Sequence, residues 1–202
     1  MSNSSSSKGG GIKKIFGKFD YNSPVILTFA FICVAVFILD TVSVGRLNKS
    51  LFTTYAHSGF GLKSIANSLL YVFGHANLSH LTGNMTLFLL VGPIVEERYG
   101  SKKLVIMMAS TAIVTAILHG LLSSAGSGLL GASGIVFMLI VLSAFTGKSD
   151  NKIPITLVLV CIIYIGGEVA DGIFIRDNVS QLGHIVGGVC GLFWGIMHKK
   201  LL

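Results

Sequence analysis

Residues 78–95 read LSHLTGNMTLFLLVGPIV, an apolar run that carries His80 and Asn84 near its start. The run is close to the roughly 20 residues that a helix needs to cross a ~30 Å hydrocarbon core. Polar and ionisable side chains inside such a run are costly to insert, so each one indicates a candidate functional site. This stretch therefore predicts a membrane-spanning helix with chemistry near one end.

Comparable apolar runs occur on both sides of this stretch. They occupy residues 24–43, 103–123, 132–147, 154–170 and 180–197. Hydrophobic residues make up 52% of the chain and charged residues only 11%, with a mean hydropathy of +0.80. This composition excludes an ordinary soluble domain. We therefore expect an all-α, polytopic membrane protein built as a bundle of six transmembrane helices.

The segments outside the apolar runs differ in character. Residues 1–22 are rich in Ser, Gly and Lys, which predicts a flexible cytoplasmic tail ahead of a six-span domain at 23–202. Residues 45–77 mix apolar side chains with cations, a pattern typical of an external loop that is partly inserted into the membrane. The sequence does not reveal the detailed fold of that loop.

The distribution of positive charge predicts the orientation in the membrane. If the N-terminus is cytoplasmic, eleven of the 15 Lys and Arg residues lie on the cytoplasmic side. Only Arg46, Lys49, Lys63 and Arg176 then face outward. Such an excess of internal cations predicts that both termini are cytoplasmic. No clustered basic module is visible, so the net charge of +7 does not indicate nucleic-acid binding.

The scattered acidic and sulfur-containing residues carry weaker signals. Four acidic residues lie near span ends, where we expect water to reach them: Asp40, Glu168, Asp171 and Asp177. One of them is a candidate, though a disfavoured one, to orient His184 as the third member of a catalytic triad. Three cysteines fall within predicted spans, and an odd number at such positions argues against a disulfide framework. Neither set of residues implies a metal or an organic cofactor.

Two further polar clusters begin the fourth and sixth spans. Gly131-Ala132-Ser133-Gly134 precedes the fourth, and Gly183-His184 lies in the sixth. Alternating spans place the starts of the second, fourth and sixth on the external side, so all three clusters share the outer leaflet. A serine hydroxyl becomes an effective nucleophile when an adjacent imidazole accepts its proton, so we assign Ser133 and His184 to that pair.

Small residues surround both members of this pair. Gly131 and Gly134 add almost no bulk beside the serine. A stripe of glycines recurs every fourth residue along the sixth span at Gly183, Gly187, Gly191 and Gly195. Such stripes let helix backbones approach closely, which a short Ser133–His184 contact requires.

Acyl transfer also needs donors directed at the developing oxyanion. Asn84 follows His80 by four residues, so both project from one face of the helix. We assign the Asn84 side-chain amide, the backbone N–H of Ser133 and His80 to this role. Asn84 has an alternative role as an interhelical hydrogen-bonding residue.

From the first span to the C-terminus, the chain resembles the rhomboid intramembrane serine proteases. The Gly-x-Ser-Gly nucleophile motif of that family is matched at 131–134, and its sixth-span histidine in a glycine-rich stretch is matched by His184. The His-x-x-x-Asn pattern is matched by His80 and Asn84, with an earlier histidine at His75. The Glu-x-Arg signature is matched at 96–98.

The resemblance implies a Ser-His dyad without an aspartate, acting on single-span or other transmembrane proteins. Substrates would enter from the lipid past the fifth span and the loop at about 170–181. Phe137 occupies a position where the family often places an aromatic, commonly tyrosine, to stack on the base. For His75, a role in loop structure or water retention stands beside direct catalysis. The chain departs from the family in lacking its Trp-Arg pair in the first external loop, since the only tryptophan is Trp194.

The sequence supports other functions less well. A zinc protease would show His-Glu-x-x-His and an aspartyl type Gly-x-Gly-Asp, and neither run occurs. A transporter would show broken helices near the midplane and an inverted repeat. Here the polar groups cluster toward one leaflet and no inverted repeat is evident in the sequence, which disfavours transport. The most serious alternative is a catalytically silent relative that binds transmembrane helices. A compact six-span form fits a prokaryotic plasma membrane, although an organellar membrane is an alternative.

Overall fold

The computed structural model describes residues 20–59, 61–146, 155, 159, 162 and 181–199. These residues are mostly helical. The helices are α1 (Pro24–Val42), α2 (Arg46–Leu51), α3 (Leu62–Leu70), α4 (Leu78–Tyr99), α5 (Ser101–Leu122), α6 (Ser133–Ser143) and α7 (Gln181–Lys199). A 3₁₀ turn at Tyr71–Phe73 follows α3, and two short strands, β1 (Thr54–Tyr55) and β2 (Gly128–Leu129), complete the described elements.

Three of the described helices, α1, α4 and α5, are long and apolar enough to cross a membrane. Their bounds agree within a few residues with the first three predicted spans. Large apolar side chains such as Phe31, Leu90 and Ile106 are exposed on them, as expected of surfaces that face lipid. The predicted tail lies outside the described residues up to position 19. The predicted fifth span and the loop at about 170–181 also lie outside them, apart from positions 155, 159, 162 and 181.

Helix α1 is anchored to the end of α4 by a buried side chain. Pro24 occupies the first turn of α1, and the next two N–H groups, of Val25 and Ile26, donate to the two carboxyl oxygens of Glu96 at 3.1 Å each. The Ser101 hydroxyl donates to the same carboxyl group at 2.7 Å. Glu96 therefore caps a helix that is distant in sequence, at the bend where Gly100, with a φ of +81°, separates α4 from α5.

Helix α6 is the centre of the bundle. Every residue from Gly134 to Leu142 is buried, with α4, α5 and α7 packed around the helix. Its 11 residues correspond to about 16 Å at 1.5 Å per residue, far less than a ~30 Å hydrocarbon core. The helix begins within one residue of the predicted run at 132–147 and ends four residues before it, so the difference lies at its C-terminal end.

The first external loop has more structure than its sequence indicates. It contains α2, β1, α3 and the 3₁₀ turn, and β1 pairs antiparallel with β2, with Thr54 opposite Leu129 and Tyr55 opposite Gly128. This small sheet is a departure from the expected all-α fold. The segment before α6 satisfies its backbone hydrogen bonds by pairing with the first external loop. The sequence did not predict this sheet because a strand of two residues is too short to show an alternating pattern.

Candidate active site

Ser133 is the first residue of α6 and follows a turn whose shape depends on Gly131. Gly131 has a φ of +118°, a backbone conformation that favours glycine. Its N–H donates to the Tyr71 carbonyl at 2.9 Å, which joins the turn to the first external loop. The first N–H groups of a helix lack acceptors within the helix, so the start of α6 presents donors beside Ser133.

The start of α4 brings two polar side chains to the same turn. Asn77 caps this helix, with its Oδ1 accepting from the His80 N–H at 2.8 Å. A Cβ atom on Gly131 would lie 2.8 Å from His80 Nε2 and 3.9 Å from Asn84 Nδ2. Both side chains therefore lie against the turn that leads into Ser133. Asn84 Nδ2 is buried, and no described residue accepts a hydrogen bond from it.

His184 reaches the site from α7, which packs closely against α6. A Cβ atom on Gly134 would lie 3.1 Å from the Gly183 carbonyl oxygen, so the residues next to Ser133 and His184 are in direct contact. The ring of Phe137, one helical turn after Ser133, lies flat on the His184 ring, with centroids 4.6 Å apart and planes 7° apart. His184 is buried under this ring.

The glycine stripe of α7 makes this approach possible. Gly187 lies directly against the Gly134 carbonyl, and a Cβ atom on Gly191 would fall 2.7 Å from the Met138 carbonyl oxygen. Gly195 lies against the Phe145 ring. Side chains at these positions would force the helices apart. The prediction that the stripe lets two helix backbones pack closely is therefore confirmed.

His75 lies just before α4 and is fully buried. Its Nδ1 is 3.2 Å from the Phe73 carbonyl oxygen, and its ring meets the His80 ring edge to face at 5.1 Å. Burial, reinforced by His80 and opposed by the bond to Phe73, lowers the pKa of His75 to about 4. His75 is therefore neutral at neutral pH, and its Nε2 has no hydrogen-bond partner among the described residues.

The predicted site residues converge at one end of the bundle. Ser133 and its neighbours come from the start of α6, His184 from α7, and the remaining polar groups from the start of α4 and the residues just before it. The full predicted set is Gly131, Ser133, Gly134, Phe137, His75, His80, Asn84 and His184.

Tyr71 is a residue that the sequence reasoning missed. Its carbonyl accepts from Gly131, and its buried hydroxyl donates to the Ala112 carbonyl on α5 at 3.1 Å. Tyr71 thus connects the serine turn to a neighbouring helix. The available signal was weak, because an aromatic residue with one polar atom in an apolar loop resembles a membrane-interface residue.

His119 supports the loop that leads toward α6. Its ring nitrogens lie 3.1 Å from the Ser127 carbonyl oxygen and 2.9 Å from the Ser123 hydroxyl, inside the bundle. The Ser127 carbonyl also accepts from the Ala56 N–H at 2.9 Å. The loop between α5 and β2 is therefore held on two sides.

These groups are of the types that acyl transfer uses. A serine hydroxyl lies at a helix start, an imidazole stacks on the ring one helical turn later, and the Asn84 amide lies against the turn before the serine. Imidazole can relay a proton, and directed N–H donors can stabilise an oxyanion.

Comparison with known proteins agrees with this architecture. The family model described as a rhomboid domain matches residues 63–200. The chain is 24% identical over 185 residues to rhomboid protease GlpG of Serratia proteamaculans, covering 87% of this chain and 64% of the relative. It is 33% identical over 139 residues to rhomboid-related protein 1 of Caenorhabditis elegans, covering 62% and 37%.

A third relative is rhomboid protease GlpG of Yersinia pestis, 22% identical over 178 residues, with 85% of this chain and 62% of the relative covered. In each of these three cases the chain spans less than two thirds of the relative's own length. The family model nevertheless covers more than half of this chain and includes all the residues of the candidate site. The chain is an integral membrane protein that belongs to the rhomboid family.

Proposed function

We propose that this protein is an intramembrane serine endopeptidase that hydrolyses peptide bonds in or near the transmembrane segments of other proteins. The observation that carries the proposal is the contact between α6 and α7. Gly134 meets Gly183 while Phe137 stacks on His184, so the hydroxyl at position 133 and the imidazole at position 184 belong to one contact region. Two of the three relatives described above bear the name rhomboid protease.

In this mechanism the Ser133 Oγ attacks the substrate carbonyl carbon while His184 takes the hydroxyl proton. The resulting oxyanion accepts hydrogen bonds from Asn84 Nδ2, His80 and the Ser133 backbone N–H. His184 then protonates the leaving amine, and water hydrolyses the acyl-enzyme with the same base. An Asn84 amide nitrogen with no acceptor among the described residues supports this role. Loss of one oxyanion donor typically costs about 10²–10³ in kcat.

We further propose six spans with both termini cytoplasmic and the site toward the external leaflet, in a prokaryotic plasma membrane. The excess of cations on the cytoplasmic side supports this orientation. The short α6 supports a site below the membrane surface, since irregular backbone at depth requires protein or water around it. The 1–22 tail and 23–202 domain complete this proposed organisation.

The proposed substrates are single-span or other transmembrane proteins that reach the site from the surrounding lipid. Gly131, Ala132 and Gly134 frame the serine, so we expect a preference for small residues at the cleaved bond. Equal cleavage of large and small residues at that position would contradict this preference. The mechanism uses no metal and no organic cofactor.

The test is cleavage of a tagged single-span reporter in liposomes, with labelling of the serine by a fluorophosphonate. We expect the native chain to cleave and to be labelled. Ser133→Ala should lose both properties and His184→Ala should lose nearly all of each, with unfolding midpoints close to native. Reporter binding without cleavage by the native chain would instead favour a helix-binding protein and overturn the assignment of Ser133.

A further inference from the structure

Asp40 makes a buried connection near the end of α1. Its side chain is only 8% exposed, contrary to the expectation that water reaches it. Both carboxyl oxygens accept from one residue of α2: Oδ1 from the Asn48 backbone N–H and Oδ2 from Asn48 Nδ2, each at 2.8 Å. A buried carboxyl group needs such donors, because its desolvation is otherwise uncompensated.

Asn48 extends this connection to the loop that carries His75. Its Nδ2 also donates to the His75 carbonyl oxygen at 2.9 Å, and the residue is 6% exposed. An amide NH₂ group has two hydrogens, and here each has an acceptor. Both partners are acceptors, so only the amide nitrogen can satisfy them and the orientation of the Asn48 side chain is unambiguous.

The backbone is closely packed around this bridge. A Cβ atom on Gly74 would lie 2.6 Å from the Phe52 carbonyl oxygen and 3.0 Å from Asn48 Oδ1. The backbone just before His75 is therefore pressed against the end of α2. The His75 ring in turn meets the His80 ring at 5.1 Å, and His80 lies against Gly131.

We infer that Asp40 and Asn48 are positioning residues, which hold His75 and through it His80 in register with the Ser133 turn. Neither residue touches the reacting atoms. The inference rests on the proposed function for its effect on rate. The connection from Asp40 through Asn48 to the His75 backbone is given by hydrogen bonds in the structure and does not depend on the proposed function. Displacing the oxyanion donors by a fraction of an ångström should lower kcat more than it changes KM.

Glu96 offers a matched control for ordinary structural stabilisation. It is also a buried carboxyl group, 5% exposed, that accepts two N–H donors across the fold. It lies near the opposite end of α4 from His80 and Asn84. Glu96→Gln should therefore weaken the fold without moving the site.

The experiment compares Asn48→Ala and Asp40→Asn with Glu96→Gln. The measurements are unfolding midpoints, and kcat and KM for the reporter in liposomes at a temperature where each protein is folded. We expect Asn48→Ala to lower kcat about tenfold or more, with KM changed by less than about twofold. Glu96→Gln should keep kcat per folded molecule within about twofold of native. Equal loss of kcat in both, at equal loss of stability, would overturn the inference.

An exchanged pair separates the two hydrogen bonds of Asn48. Asp40→Asn with Asn48→Asp can restore the bond between positions 40 and 48, but leaves an acceptor facing the His75 carbonyl. We expect this pair to regain stability relative to Asp40→Asn without regaining kcat. Recovery of both together would show that only the 40–48 contact matters and would overturn the role assigned to His75.

Hydrogen–deuterium exchange at the histidine ring C2–H, followed by mass spectrometry, tests the positioning without catalysis. We expect faster exchange at His75 in Asn48→Ala, or in Asp40→Asn if the first variant does not fold, and native exchange in Glu96→Gln. Unchanged exchange at His75 would overturn the inference. A native chain that neither cleaves nor is labelled would overturn the proposed function instead, and the exchange result would still decide the positioning.

Discussion

The two ends of α4 use buried polar groups in opposite ways. At the end that adjoins α5, Glu96 accepts three hydrogen bonds and both of its oxygens are occupied. At the other end, Asn84 Nδ2 is equally buried but no described residue accepts from it. A satisfied buried group stabilises the fold, whereas an unsatisfied one costs stability unless a water, an ion or a ligand serves it. This difference distinguishes the role of Glu96, which joins two helices, from the role proposed for Asn84.

Among substitutions that leave the proposed Ser133–His184 pair in place, the largest effect should follow from Gly131→Ala. The added Cβ would fall 2.7 Å from the His80 ring, at a backbone φ of +118°. We expect about a 100-fold loss of kcat, because the His80 and Asn84 donors are displaced. Gly83→Ala is the control, since a Cβ there meets nothing within 4 Å. Native rates in Gly131→Ala would contradict the assignment of this turn to the site.

At the other end, Glu96→Gln should lower the free energy of unfolding by about 2 kcal/mol, because an NH₂ group replaces one acceptor of a buried hydrogen bond. Chemical unfolding in detergent micelles measures this change. The neighbouring exposed Glu97→Gln serves as the control and should stay within about 0.5 kcal/mol of native. If Glu96→Gln were as stable as native, the hydrogen bonds from Glu96 to the start of α1 would contribute nothing measurable to the free energy of unfolding.

Acidification should destabilise the protein through His75. Its pKa is about 4 when folded and 6.5 in the reference state, so below pH 6.5 the unfolded chain binds a proton that the folded chain does not. The stability that His75 provides is complete above pH 6.5 and is lost as the pH falls to about 4. The full loss is no more than about 3.5 kcal/mol.

His75→Gln provides the comparison for this titration. Its free energy of unfolding should fall less steeply between pH 6.5 and pH 4 than that of the native protein, since the remaining groups titrate in both. Unfolding measured across this pH range checks the difference. Parallel curves would argue that His75 is protonated as readily in the folded protein as in the unfolded chain.

The smallest effect should come from Phe137→Tyr. The ring can keep its stacked position on His184, so we expect kcat within about twofold of native. Phe137→Ala removes the stacked ring and should lower kcat about tenfold, because the imidazole loses the surface that orients it. Reporter cleavage measures both variants. A larger loss of kcat in Phe137→Tyr than in Phe137→Ala would exclude stacking on His184 as the reason for an aromatic residue at position 137.

The amino-acid sequence by itself determined the membrane class, the limits of the first three spans and the residues proposed for catalysis. These features are legible because long apolar runs follow from bilayer thickness, and because polar residues within them are rare and costly. The spacing of Gly183, Gly187, Gly191 and Gly195 likewise predicted the close packing of α7, since a helix repeats its face about every four residues.

Only the tertiary structure decided the fold of residues 45–77, the pairing of β1 with β2 and the burial of Asp40. Each depends on partners distant in sequence: Thr54 with Leu129, Asp40 with Asn48, and Asn48 with the His75 carbonyl. Hydrogen bonds between loops follow no helical or strand period, so no local sequence pattern predicts them. The sequence shows which groups are costly to bury, and the folded chain decides which of them find partners.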